Sequence, residues 1–240
     1  MCGKKIVVWC LYDDGYSCWG NGAKQLTQDL DIYCFGIGDF KHWDGKKVKI
    51  DLSILNDNLI GELSKYPEPD IIVASPPCES WSNAARQQLY KAGSIELNNK
   101  KYFDQFGINF DFEKRQKIRL MGEATQMAVV KIIKYFKPIC WVIENPQSAK
   151  SWLYQEQFLD FSGNKNLAYY YNYDNSFSKK PTIFKSNKSF DLQHKNIKTN
   201  ITLNNKNTYD IRSKIPIALT KEILNKLVNI VEKLLLRFYE

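Results

Sequence analysis

The sequence is poor in the residues that build metal sites and membrane spans. Of its 240 residues only two are histidine, His42 and His194, and no two of its six cysteines stand in CxxC spacing. A zinc site would need an unusual ligand set, and no metal is expected. No run approaches the roughly 18 uninterrupted apolar residues of a spanning helix. The N-terminal MCGKKIVVWCLYDDGY has a short apolar run that meets Asp13 and Asp14 at once, which reads as a strand ending in acid, not a signal peptide. The cytoplasm is therefore the expected compartment, with Cys2, Cys10, Cys18, Cys34, Cys78 and Cys140 as free thiols, mostly in the core. With 44% hydrophobic, 14% aromatic and 25% charged residues, a disordered chain is excluded and an ordinary globular one expected.

The net charge of +8 is unevenly placed. From Lys179 to Lys214 there are nine basic residues against two acids, Asp191 and Asp210, which is nearly the whole excess. A basic segment on a near-neutral body suggests a polyanion, most often nucleic acid. The other account is coding from an AT-rich genome, since Lys, Asn, Ile and Tyr are all abundant.

Apolar runs at 5–11, 31–37, 47–50, 70–74 and 139–143 read as short strands with little polar alternation. Helical patterns are expected from the turn at Asp13-Asp14-Gly15 to about Leu30, over 53–65 and over 117–136, ended by Lys137-Pro138. Such alternation predicts an α/β fold: a doubly wound, mostly parallel sheet covered on both faces. Ligands in such sheets bind beyond the carboxyl ends of the strands. The suspects are then Asp13 to Gly15, Asp39, Asp51, Ser75 to Cys78 and Glu144 to Pro146. Segments 167–173 and 180–186 read as strands near a sheet edge, 187–210 as a polar loop, and 216–238 as a closing amphipathic helix with Pro216 in its first turn. The expected organisation is a cofactor-binding and catalytic core over 1–146, a reduced basic segment over 147–215, and a closing helix over 216–240 packed back on the core.

Ser75-Pro76-Pro77-Cys78 fixes the backbone after a buried strand and holds one thiol at the ligand edge, as suits a nucleophile. A turn with a buried cysteine is the alternative. Glu144-Asn145-Pro146 follows another buried strand at the same edge, where a carboxyl in a half-apolar cleft can act as a general acid.

SPPCESWS (75–82) resembles the proline-cysteine motif of the DNA (cytosine-5)-methyltransferases, and VIENP (142–146) resembles their catalytic glutamate motif. The later YNYDNSFSKKPTIFKSN (171–187) and IRSKIPIAL (211–219) look like the short, often phage-encoded members. The resemblance is sharp at the two motifs and looser elsewhere. It implies a Rossmann-like S-adenosylmethionine-dependent fold with a small basic C-terminal appendage, acting as a monomer on double-stranded DNA with the target base flipped out. Cys78 would add to C6 of cytosine, Glu144 would protonate or hydrogen-bond N3, and C5 would take the methyl group. The cofactor would meet Tyr12, Asp13 and Gly15 in the first turn, Asp39 at the ribose, Asp51 at the adenine amino group, and Ser75 and Pro76. Pro77, Ser82, Asn145, Pro146, Lys179 and Lys180 would meet the nucleic acid. Lys185, Lys188 and the rest of the 185–206 loop, with Arg86, Arg115 and Arg119, are further candidates for phosphate contacts.

The family's first turn is glycine-rich, whereas LYDDGYSCWGNG (11–22) offers Gly15 alone at the right place. An inactive nucleic-acid-binding relic of the fold therefore stands as an alternative, as does an RNA cytosine methyltransferase. A zinc deaminase is excluded: it needs P-C-x-x-C and H-x-E, but position 81 is Trp81 and neither histidine lies in H-x-E.

Overall fold

The computed structural model describes residues 5–81, 90–91, 94–95, 112–198 and 213–237. Strand β1 (Ile6–Leu11) is buried throughout. Its side chains alternate between two hydrophobic cores, with Ile6, Val8 and Cys10 in one and Val7, Trp9 and Leu11 in the other. That is why the run reads as continuously apolar: a strand covered on both faces has no polar side.

The chain continues through α1 (Cys18–Ala23), β2 (Leu30–Gly36), β3 (Lys46–Lys49), α2 (Leu59–Leu63), β4 (Ile71–Ala74) and a short antiparallel pair, β5 (Tyr90–Lys91) with β6 (Ser94–Ile95). Then come α3 (Phe112–Phe136), β7 (Cys140–Pro146), α4 (Ser151–Gln157), β8 (Asn164–Tyr169), a 3₁₀ turn (Tyr170–Asn172), β9 (Pro181–Ser186) and α5 (Ile217–Arg237). Seven strands form one sheet in the order β3-β2-β1-β4-β7-β9-β8. Pairing is parallel from β3 to β7, and β9 runs antiparallel to both its neighbours. Helices α1 and α5 fill the core on one face, through Trp19, Leu219, Ile223 and Leu227. Helices α2, α3 and α4 fill the other, through Leu63, Ile132 and Trp152. The fold is a Rossmann-like, mostly parallel α/β sheet. No helix among the described residues is long and apolar enough to cross a membrane.

Several boundaries differ from the sequence reading. Helix α1 stops at Ala23, not near Leu30. An added Cβ on Gly22 would lie 2.3 Å from Thr220 Oγ1, so α1 is docked tightly on the start of α5, and the polar stretch beyond has no apolar stripe to bury. Over 53–65 only Leu59–Leu63 is helical; ahead of it Asp51 accepts from the Ser53 N–H and hydroxyl, and Asn56 donates to the Asp51 carbonyl, closing turns instead. Helix α3 begins at Phe112, five residues early. Strand β7 does not stop before Glu144. It runs through Pro146, because β9 pairs with it at Glu144↔Phe184 and Asn145↔Ile183. The two strands expected near a sheet edge are there: β8 is the last strand of the main sheet, and β9 lies beside it, between β7 and β8.

Candidate active site

The strand order reverses between β1 and β4: from β1 the sheet grows one way to β2 and β3, and from β4 the other way to β7. Loops leaving the strands diverge there and open a cleft. It measures about 480 Å³ and is lined by Tyr12–Cys18 after β1, Gly36–Asp39 after β2, Ile50–Leu52 after β3, Ser75–Cys78 after β4, and Glu144 of β7.

One end of the cleft holds the thiol and the carboxyl. The Ser75 N–H donates to Leu11 O (3.2 Å), and the Trp19 indole donates to Ser75 Oγ (2.8 Å). Asn145, fully buried, donates to the Pro76 carbonyl (3.1 Å). Pro76 and Pro77 carry the chain on to Cys78, which is half-buried. Beyond it the Trp81 N–H donates to Cys78 O (3.0 Å), and the Ser80–Trp81 turn lies flat on α3 at Gly122, where an added Cβ would sit 1.8 Å from Ser80 Oγ. The loop bearing Cys78 is thus fixed from three sides.

Glu144 is 7% exposed and faces the same space. Burial raises its pKa, opposed by the Lys180 ammonium and by hydrogen bonds from Tyr170 and Ser75. Burial likewise pushes the Cys78 thiol up to about 11, the Glu144 charge adding to it and Lys180 opposing it. The two groups are coupled through one proton: a neutral Glu144 favours the thiolate, and a charged one suppresses it. Lys180 lies beside both, with its Nζ 4.6 Å from the Tyr170 ring centroid and its backbone at φ 33°.

The other end is acidic. Tyr12, at φ 59°, ends β1, and its hydroxyl reaches the carbonyls of Leu52 (2.7 Å) and Thr125 (2.9 Å). Asp13 turns inward, 5% exposed, accepting from the N–H groups of Trp19 (3.2 Å) and Gly20 (2.9 Å). Burial pushes it up to about 7 in spite of those donors. Asp14 accepts from the Gly38 N–H and lies where side chains on Gly36 and Gly38 would be. An added Cβ on Gly15 would meet open space. Asp39 is exposed, 3.5 Å from Lys49, and Asp51 presents its carboxylate at the end of β3, braced by Ser53. Behind the cleft, Cys10, Cys34 and Asp13 bring two thiols and a carboxylate within 4.8 Å of one another. Cys34 donates to Asp13 (3.6 Å), whose oxygens already serve Trp19 and Gly20, so the group reads as a closed hydrogen-bonded chain.

Of the residues expected to meet nucleic acid, Pro77 and Lys180 line the cleft. Asn145 sits beneath it as a brace, and Pro146 lies at the end of β7, where its carbonyl accepts from the Trp152 indole (3.1 Å). Lys179 turns away to Asn196 (2.6 Å) and the Tyr169 ring. Lys185 is not a surface lysine: it is fully buried on β9, donating to Phe161 O, with Glu156 at 3.8 Å. Arg119 pairs with Glu123 along α3 (2.8 Å). Ser82, Arg86, Lys206 and the Arg115 side chain lie outside the described residues. Asp14, inside the expected Asp13–Gly15 turn, does reach the cleft. Sequence reasoning missed Tyr170 and the rim made by Tyr16, His42 and Lys214, in which His42 stacks on Tyr16 (centroids 4.5 Å apart) and Lys214 sits 5.1 Å from the Tyr16 ring. Nothing in the local sequence assigns these side chains to the cleft; the fold brings them together there.

No protein-family model matches the chain, and no curated protein matches it. Solved structures do. One is a putative DNA modification methyltransferase encoded within a prophage of Escherichia coli, 16% identical, with a TM-score of 0.44, covering 76% of this chain and 46% of that one. Another is a methyltransferase of Entamoeba histolytica, 13% identical, with a TM-score of 0.41, covering 85% of this chain and 58% of that one. The chain thus spans about half the length of the structures it matches.

Proposed function

We propose that the chain transfers a methyl group from S-adenosylmethionine to C5 of cytosine in DNA, through a covalent Cys78 adduct on a flipped-out base. The observation that carries this reading is the placement of Cys78, Glu144 and Lys180 together at one end of a single cleft whose other end is lined by strand-end carboxylates.

The cleft's chemistry suits the donor. Asp39 and Asp51 present acceptors for hydroxyl and amino groups, and Ile37, Leu52 and Met121 add apolar surface to the lining. When bound, S-adenosylmethionine supplies the electrophilic methyl group. Cys78 rests as a thiol and gives its proton to solvent at the half-buried cleft as it adds to C6. The charged Lys180 offsets the developing thiolate, and Glu144 gives its proton to N3, so that the ring accepts the electron pair. C5 would then take the methyl carbon as the donor's sulfur–methyl bond breaks, the sulfonium leaving as a neutral thioether. Loss of the C5 hydrogen as a proton and departure of the Cys78 thiolate restore the ring, and Glu144 takes back the N3 proton. Thiolate addition at C6 requires the nucleotide to leave the stack, and Lys41 and Lys214 at the cleft mouth give positive charge for the flanking backbone.

The test is expression in a host lacking cytosine methylation, followed by bisulfite sequencing. Cytosines protected at a recurrent site are expected with the unaltered protein and not with Cys78→Ser. Complete conversion in both, with no adduct formed by the purified protein on DNA containing 5-fluorocytosine, would overturn the reading.

A further inference from the structure

Glu144 is held by partners that the two sequence motifs do not contain, and the most buried of these is Tyr170. Its ring and hydroxyl are 0% exposed, in the 3₁₀ turn that leaves β8. The hydroxyl donates to Glu144 Oε1 at 3.1 Å. Thr182, opposite on β9, lies within hydrogen-bonding reach of the same hydroxyl and gives its own proton to Lys180 O (3.1 Å). A phenol placed this deep would be costly without an acceptor, and the carboxyl is that acceptor.

We propose that Tyr170 is the positioning residue for Glu144: by occupying Oε1 as an acceptor it leaves the acid proton to Oε2 and fixes the plane in which that proton is offered. Its second task is to carry Lys180, whose ammonium rests on the Tyr170 ring. One side chain therefore sets the orientation of the acid and the place of the cation that balances it. The inference rests on the reading of Glu144 as the acid partner of Cys78.

The groups that face this pair are few. Cys78, Lys180, Tyr170 and the Ser75 hydroxyl act on Glu144, and Cys18 and Thr182 face Tyr170. A donated hydrogen bond favours the charged carboxylate, so removing the hydroxyl should make Glu144 a weaker acid while leaving it less well aimed.

Tyr170→Phe keeps the ring and removes only the hydroxyl. Glu144 is titrated by carbon NMR on glutamate-labelled protein, with Glu144→Gln identifying its signal. Its midpoint should rise by at least about half a pH unit in Tyr170→Phe, the size expected for one lost donor. It should rise by less in Thr182→Val, which removes the neighbour of the hydroxyl and serves if the first variant folds poorly. Adduct formation with 5-fluorocytosine DNA should slow by about 10- to 100-fold, with DNA affinity little changed and the alkaline limb of its pH profile moved upward. A midpoint unmoved or lowered in both variants overturns the inference. The titration needs no turnover, so an absence of adduct in the unaltered protein would sink the proposed reaction while the titration still decides the role of Tyr170.

Discussion

Cys78 and Glu144 are each unremarkable as single side chains, and their chemistry comes from shared burial. Burial shifts both the thiol and the carboxyl toward the neutral form. Cys78→Ser should abolish the denaturation-resistant adduct on 5-fluorocytosine DNA, and Glu144→Gln should slow its formation by roughly 10²–10⁴-fold, as gel electrophoresis of timed reactions would record. Asp13 belongs to stability. Its folded pKa of about 7 lies above the ordinary 3.8, so its contribution is complete below about pH 4 and is lost as pH rises to and through 7. The loss is about 4 kcal/mol in scale, from the difference of some three units at 1.36 kcal/mol each. Urea unfolding from pH 4.5 to 8 should show the Asp13→Asn variant, which carries no titrating proton there, losing less stability over that window than the unaltered protein.

Elements buried on both faces were legible in the sequence and elements fixed by docking were not. Residues 6–11, 71–74 and 140–143 are continuous apolar runs because each is sandwiched between two helix layers, and the acids and the thiol that follow them could be assigned to one edge before any coordinates. The length of α1 depends on a contact almost two hundred residues away, Gly22 against Thr220, and nothing local marks it. The extension of β7 through Glu144 depends on β9. Lys185 reads as basic surface from composition alone, yet the register of β9 puts it inside, where burial pushes it down to about 8 against the pull of Glu156. Tyr170 sits in LAYYYNY, where no pattern separates it from its neighbours. Gly22→Ala improves helix propensity by about 1 kcal/mol, but the added methyl meets Thr220 and the Lys221 backbone. The net effect should be destabilisation by about 1–3 kcal/mol, seen as a lower thermal midpoint.

Across the whole molecule the charge excess divides into a buried part and a part open to a polyanion. Lys185 is inside and Lys179 is tied to Asn196, while Lys195 and Lys198 are exposed and Lys41 and Lys214 border the cleft. If those four meet phosphates, neutralising them together should lower the slope of log affinity against log salt by about 3.6 in fluorescence titrations, whereas Lys185→Met should leave the slope unchanged. The sheet order carries a further consequence, for the chain as it leaves the ribosome. Strand β9 is the last to be synthesised yet fills an interior place, between β7 and β8. Until residue 186 has emerged, the β7 edge from Val142 to Pro146 has no partner on that side, and an unpaired apolar edge invites pairing with other nascent chains. Nascent chains stalled before β9 should therefore be captured by chaperones or pellet on centrifugation, and those stalled past α5 should not. Glu144, whose partners Tyr170 and Lys180 are made after it, would be among the last groups to find its place.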